Sequence, residues 1–186
     1  WGDDSDLWTD EERERLEVVK ANDGCCWISI EDLQKYFDRV QICKYEDDFQ
    51  FSSAKCESSE KCVFTIQVQA EGMHTFAVSQ KGSRMFKKNS GYEYSSSRLF
   101  LAKNNGDGTV TYIKGTKAGW DRDNYLEIEN LEEGDYYFVA EVDWNEKTED
   151  KSFVVNCYGP SEIEFVECDE DKNDIVRMVA QDHIDN

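Results

Sequence analysis

The chain has 186 residues, a formal net charge of −20, 39% hydrophobic and 13% aromatic residues. That apolar content is enough for a packed core and argues against disorder throughout; the length suits one good-sized domain, or one domain with an appendage. So acidic a protein repels a phosphate backbone, which argues against nucleic acid as a partner. The carboxylates serve either solubility or the gathering of a hard cation such as Ca²⁺. Seven cysteines are an odd number, and Cys25 and Cys26 are adjacent. No signal-like stretch opens the chain, and no apolar run approaches the roughly 20 residues that span a bilayer. Free thiols in a reducing cytosol fit this pattern better than a disulfide framework. Trp1 is not an initiator, which points to a chain cut from something longer.

The first 45 residues read differently from the rest. Thr9 and Glu12 form a capping-box pattern, and the charged run 10–20 (DEERERLEVVK) continues it as a helix. Asn22-Asp23-Gly24 breaks that helix. Ser29 and Asp32 make a second, looser box, after which Ile30, Leu33, Phe37 and Val40 fall on one helical face. Such a helical pair with one apolar stripe is too small to stand alone.

From 46 to 62 the chain is polar and irregular, which predicts a linker or long loop. Period-two patterns then take over through 63–167. Phe64, Ile66 and Val68 alternate with polar partners, as do Phe76 and Val78. Two further runs, 99–103 and 109–113, flank Asn104-Asn105-Gly106-Asp107-Gly108 and predict a hairpin. Leu126 and Ile128 follow, then Tyr136, Phe138, Ala140 and Val142, then Phe153, Val155 and Cys157, then Ile163 and Phe165. About eight short strands with no helix between them predict a mainly β fold, an antiparallel eight-stranded β-sandwich. Residues 168–186 read as an acidic tail or linker with a short helix around 175–181.

The segment 23–45, DGCCWISIEDLQKYFDRVQICKY, resembles the end of the protease core of the calpain family of cysteine proteases. The features that carry the likeness are Asp23-Gly24, Trp27, Ile28-Ser29-Ile30, Asp32-Leu33 and Val40-Gln41-Ile42-Cys43. Upstream, Trp1, Trp8 and the run 11–16 match a Trp-spaced stretch and its helix. Downstream, runs 73–80, 129–144 and 152–159 look like the family's C2-like β-sandwich. The resemblance implies a Ca²⁺-activated intracellular endopeptidase of papain-like chemistry whose Cys-His-Asn triad lies upstream of this chain. Residues 1–45 would then be the end of the second, papain-like lobe, and 63–167 a regulatory or membrane-contacting sandwich. The implied partners are the upstream remainder of the core and the protein substrates of the whole enzyme. The implied location is the cytoplasm, with membrane or cytoskeletal association left open.

Gly24-Cys25-Cys26-Trp27 contains the Cys-Trp pair that also marks a papain-like nucleophile. No Gln lies upstream to build an oxyanion hole, and His74 follows only about 50 residues on, against roughly 130–150 in papain-type relatives. The pair is therefore read as structural, and no catalytic residue is assigned. For Ca²⁺, the resemblance singles out Asp3 and Asp23, in two acidic loops of the second lobe. Cys25 stands where the family usually has Glu, and a thiolate suits a hard cation poorly; Asp4 or Asp6 is a candidate to compensate. Asp143, Glu146, Glu149 and Asp150 lie between two predicted strands. They read either as a Ca²⁺-binding end loop of a C2-type module or as a solvated hairpin tip. Lys81, Arg84, Lys87 and Lys88 are the basic cluster of the chain. They would meet phospholipid headgroups or pair with acidic loops of the same protein. Cys56 and Cys62 have neither zinc nor redox spacing. The Asn-Gly-Asp-Gly turn is not an EF-hand loop, because Lys103 and Lys114 stand at its opening and closing positions. Three readings stay open: the regulatory part of a calpain-type protease, a calpain-like scaffold or cytoskeletal partner without catalysis, and a C2-like module for Ca²⁺ and phospholipid.

Overall fold

The computed structural model describes residues 1–21, 23–40, 42, 44–57, 61–146, 148, 151–168 and 171–185, Asp185 by its backbone alone. The chain divides into two compact units, Trp1–Lys44 and Tyr45–Asn186.

In the first unit, helix α1 spans Asp10–Arg15 and α2 spans Ile30–Tyr36. Both begin where side chains satisfy free amides. Thr9 Oγ1 accepts from Glu12 N at 3.2 Å, and Glu12 Oε2 accepts from Thr9 N at 3.2 Å. Ser29 Oγ accepts from Asp32 N at 3.1 Å. Both helices are shorter than the sequence pattern suggests. Glu17, with φ +51°, turns the chain out of α1. Phe37 is already extended at the end of α2, so Val40 lies beyond the helix rather than on its face. No described residue of this unit is buried. Ile30, Phe37 and Val40 are 59%, 55% and 65% exposed.

The second unit is an antiparallel β-sandwich. Its strands are β1 (Gln50–Glu57), β2 (Lys61–Val68), β3 (Gly72–Gln80), β4 (Ser96–Asn104), β5 (Val110–Gly115), β6 (Asp123–Leu131), β7 (Gly134–Asp143), β8 (Ser152–Gly159) and β9 (Val166–Glu167). One sheet has the order β1-β8-β3-β6 and the other β5-β4-β7-β2-β9. Nine strands therefore stand among the described residues, where the alternation suggested about eight. The additional strand is β1, whose 8 residues all lie within the segment expected as a linker. Its inward positions are the small residues Ser52, Ala54 and Cys56, while Phe51 points out. An edge strand of this kind hides the usual apolar alternation. Ile163 and Phe165, expected as a strand, precede β9; Ile163 is buried in the core and its N–H donates to Ser52 Oγ at 2.8 Å.

The core between the sheets includes Phe64, Ile66, Phe76, Val78, Leu99, Leu101, Leu126, Phe138 and Val155. Phe76 and Phe138 stack with ring centres 5.3 Å apart. A second cluster lies on the opposite side of β2, with Val63, Ala102, Tyr137 and Val139 packed against Ile175 and Val179. Those two residues belong to α3, Lys172–Asp185. The stretch expected as an acidic tail or linker with a short helix around 175–181 thus carries a 14-residue helix seated on the sheet. Its i and i+4 apolar residues face β5 and its neighbours, and Asp182 Oδ2 accepts from Tyr112 N at 2.7 Å. No helix among the described residues is long and apolar enough to cross a membrane.

Candidate functional site

The first unit is held by three tryptophans and a set of loop carboxylates. Trp8 sits edge-on to both Trp1 and Trp27, with ring centres at 5.1 and 5.8 Å. Trp27 N donates to Trp1 O at 2.8 Å, and the Trp1 amine in turn donates to Trp27 O. Around this cluster, Asp3 Oδ2 accepts from Ala21 N at 3.0 Å and Asp4 pairs with Lys20 at 2.9 Å. Asp23 Oδ1 accepts from Cys25 N at 2.8 Å across Gly24, whose φ of +78° suits glycine.

These bonds bring together the two loops that carry Asp3 and Asp23. Hydrogen bonding from Cys25 holds the Asp23 carboxyl below its ordinary range. The Cys25 thiol is pushed up by its contact with Asp23, then by the charge of Asp23, with a smaller push from Asp3. Both carboxylates therefore act on one sulfur. Such surroundings disfavour a thiolate, the opposite of what a nucleophilic cysteine requires. Of the two compensating residues, Asp4 is engaged by Lys20, and Asp6 is exposed. Among the described residues, no group of three or more His, Cys, Asp or Glu side chains is placed to hold a metal ion.

In the second unit, Asp143 ends β7 and Glu146 is exposed just beyond it, while Glu149 and Asp150 lie outside the described residues. The basic cluster stands on the connection between β3 and β4. A 3-10 turn, Ser83–Met85, opens it. Phe86 stacks on Tyr92 with ring centres 3.8 Å apart, and Tyr92 lies edge-on to Tyr94. Arg84, Lys87 and Lys88 are exposed, and none of them forms an ion pair with another described residue. His74 is buried in β3, its Nδ1–H donating to Gly72 O at 3.1 Å.

Residues 1–44 match the family model described as calpain family cysteine protease. The match takes in both tryptophan loops and both helices of the first unit, and none of the sandwich. Among solved structures, the chain is similar to the Yersinia pseudotuberculosis-derived mitogen, at 14% identity and a TM-score of 0.37. That likeness covers 68% of this chain and 92% of the mitogen.

One arrangement escaped the sequence pattern. Cys56 and Cys62, whose spacing fits no familiar redox motif, are buried in one core cluster, where the Cys62 thiol helps push the Cys56 thiol up. The signal was the burial phase of the two strands that carry them, and β1 was hidden by its small inward residues.

Proposed function

We propose that this chain is a regulatory and structural portion of a calpain-type, Ca²⁺-dependent intracellular cysteine endopeptidase. Residues 1–45 close the second lobe of its protease core, and the sandwich serves as its C2-like module. The observation that carries this reading is the calpain match over 1–44, in a unit that leaves its apolar side chains exposed. Trp27, Ile28, Ile30, Tyr36, Phe37 and Ile42 are each at least 39% exposed. So many exposed apolar groups on one small unit suit a surface that rests on another part of the enzyme.

The chain's own residues have structural roles here. The tryptophan cluster fixes the spacing of the loops, Asp3 orders the chain at Ala21, and Asp23 shapes the turn before Trp27. Asp3 and Asp23 supply hard oxygen donors and would hold Ca²⁺ together with carbonyls or water, whereas the Cys25 sulfur would not. Bound there, the ion would neutralise the two carboxylates. In the sandwich, Asp143, Glu146, Glu149 and Asp150 are the corresponding candidates. Lys81, Arg84, Lys87 and Lys88 are the candidates for phospholipid contact.

The test is proteolysis of casein by the intact gene product, with and without Ca²⁺, alongside calorimetry of Ca²⁺ binding to the 186-residue chain. Ca²⁺-dependent cleavage, with binding heat reduced by Asp3→Ala and Asp23→Ala, is the expected result. A folded intact protein that cleaves nothing would instead favour the second reading, a calpain-like scaffold. Cys25, which stands where the family usually has Glu and whose thiol is pushed up by Asp23 and, more weakly, by Asp3, favours that alternative.

A further inference from the structure

Strands β1 and β2 follow one another in the chain but belong to opposite sheets. Each turns alternate residues into the space between the sheets. On β1 these are Ser52, Ala54 and Cys56, and on β2 they are Cys62, Phe64, Ile66 and Val68. Cys56 and Cys62 are therefore the inward residues nearest the connection, one from each sheet. They are 4% and 5% exposed and share one core cluster. Cys157, also in that cluster, is a buried thiol pushed up to about 12 by burial.

We propose that Cys56 and Cys62 are a site of reversible oxidation, forming a disulfide that ties the two sheets together at the β1–β2 end. The oxidant is a small-molecule disulfide such as oxidised glutathione. One protein thiolate attacks it, releasing one glutathione and leaving a mixed disulfide. The second protein thiol, losing its proton, displaces the other glutathione. The two S–H bonds of the protein are lost, one S–S bond forms between Cys56 and Cys62, and two electrons and two protons leave with the two glutathione thiols. The neighbouring Cys62 thiol and burial push the Cys56 thiol up, and both side chains are buried, so the first attack waits on local opening of the strand ends. Once one sulfur is captured, the resolving thiol is already beside it. The exposed pair Cys25 and Cys26 has no such burial, so the two sites differ in rate.

The experiment uses the 186-residue chain with Cys25→Ser, Cys26→Ser and Cys43→Ser, incubated with oxidised glutathione under native conditions. Unreduced peptide mapping should show Cys56 joined to Cys62, with Cys157 and Cys168 still alkylatable after unfolding. The melting temperature of the sandwich should rise by about 5–10 °C, reversed by dithiothreitol, as closure of a short loop implies. Adding Cys56→Ala or Cys62→Ala should abolish that rise. The mapping stands even if either added variant folds poorly. Two free thiols after oxidation, a glutathione adduct that does not resolve, or a bond to Cys157 or Cys168 would overturn the assignment.

Discussion

Gln80 and Ser95 exchange two hydrogen bonds: Gln80 Nε2 donates to Ser95 O at 2.7 Å, and Ser95 N donates to Gln80 Oε1 at 2.9 Å. Both residues are buried, and between them runs the connection that carries the basic cluster. The pair closes that loop at its base, so Lys81, Arg84, Lys87 and Lys88 are presented from a fixed neck. Gln80→Ala leaves the Ser95 groups unsatisfied. It should lower the stability of the sandwich by about 1–3 kcal/mol in urea unfolding. A loss near zero would mean that the clamp carries no energy.

His74 gives the sandwich a pH dependence. Burial pushes its pKa below the ordinary value, outweighing its bond to Gly72, and Nε2 has no hydrogen-bond partner. Because the folded state resists protonation, the unfolded chain binds the proton first as pH falls. Stability is therefore complete above the unfolded pKa of about 6.5. It declines as pH drops from there toward the lowered folded value. Melting temperatures measured between pH 7.5 and 5 should fall in the intact chain and fall less in His74→Gln.

Gly159 lies against that same ring. A Cβ placed on it would stand 2.4 Å from His74 Cδ2 and 3.0 Å from Nε2. Gly159→Ala should destabilise the sandwich by about 1–3 kcal/mol through overpacking. Denaturant unfolding of Gly159→Ala with and without His74→Ala separates the contact from any intrinsic effect. Relief in the double variant is the expected result.

Ile175 tests whether α3 is integral to the sandwich. It is fully buried against Val63 and its neighbours. Ile175→Ala should cost about 2–5 kcal/mol, the range for deleting a buried aliphatic side chain. A surface change on the same helix, Arg177→Ala, should stay within about 0.5 kcal/mol.

Strands with large inward residues were readable in the chain. Phe76 and Val78, or Tyr136, Phe138, Ala140 and Val142, alternate as a half-buried sheet demands, and both sets are buried in the structure. β1 was not readable, because Ser52, Ala54 and Cys56 face inward while Phe51 faces out. α3 was underestimated because only Ile175 and Val179 of its apolar residues are fully committed to the core, within an acidic context. Asp3 and Asp23 came from family resemblance, since acidic loops alone carry no geometry. The approach of their two loops needed the tryptophan cluster and the bond from Ala21 to Asp3. The burial of Cys56 and Cys62 in one core cluster is tertiary and has no local pattern.

Hydrogen exchange at the amides of residues 27–40 tests most directly whether the first unit is part of a protease lobe. The rates to compare are those in the 186-residue chain and in the intact gene product. With no buried side chain among the described residues of Trp1–Lys44, these amides should exchange rapidly in the 186-residue chain. They should slow by about tenfold or more once the rest of the lobe covers Ile30, Phe37 and Val40. Equal rates in both proteins would contradict the assignment.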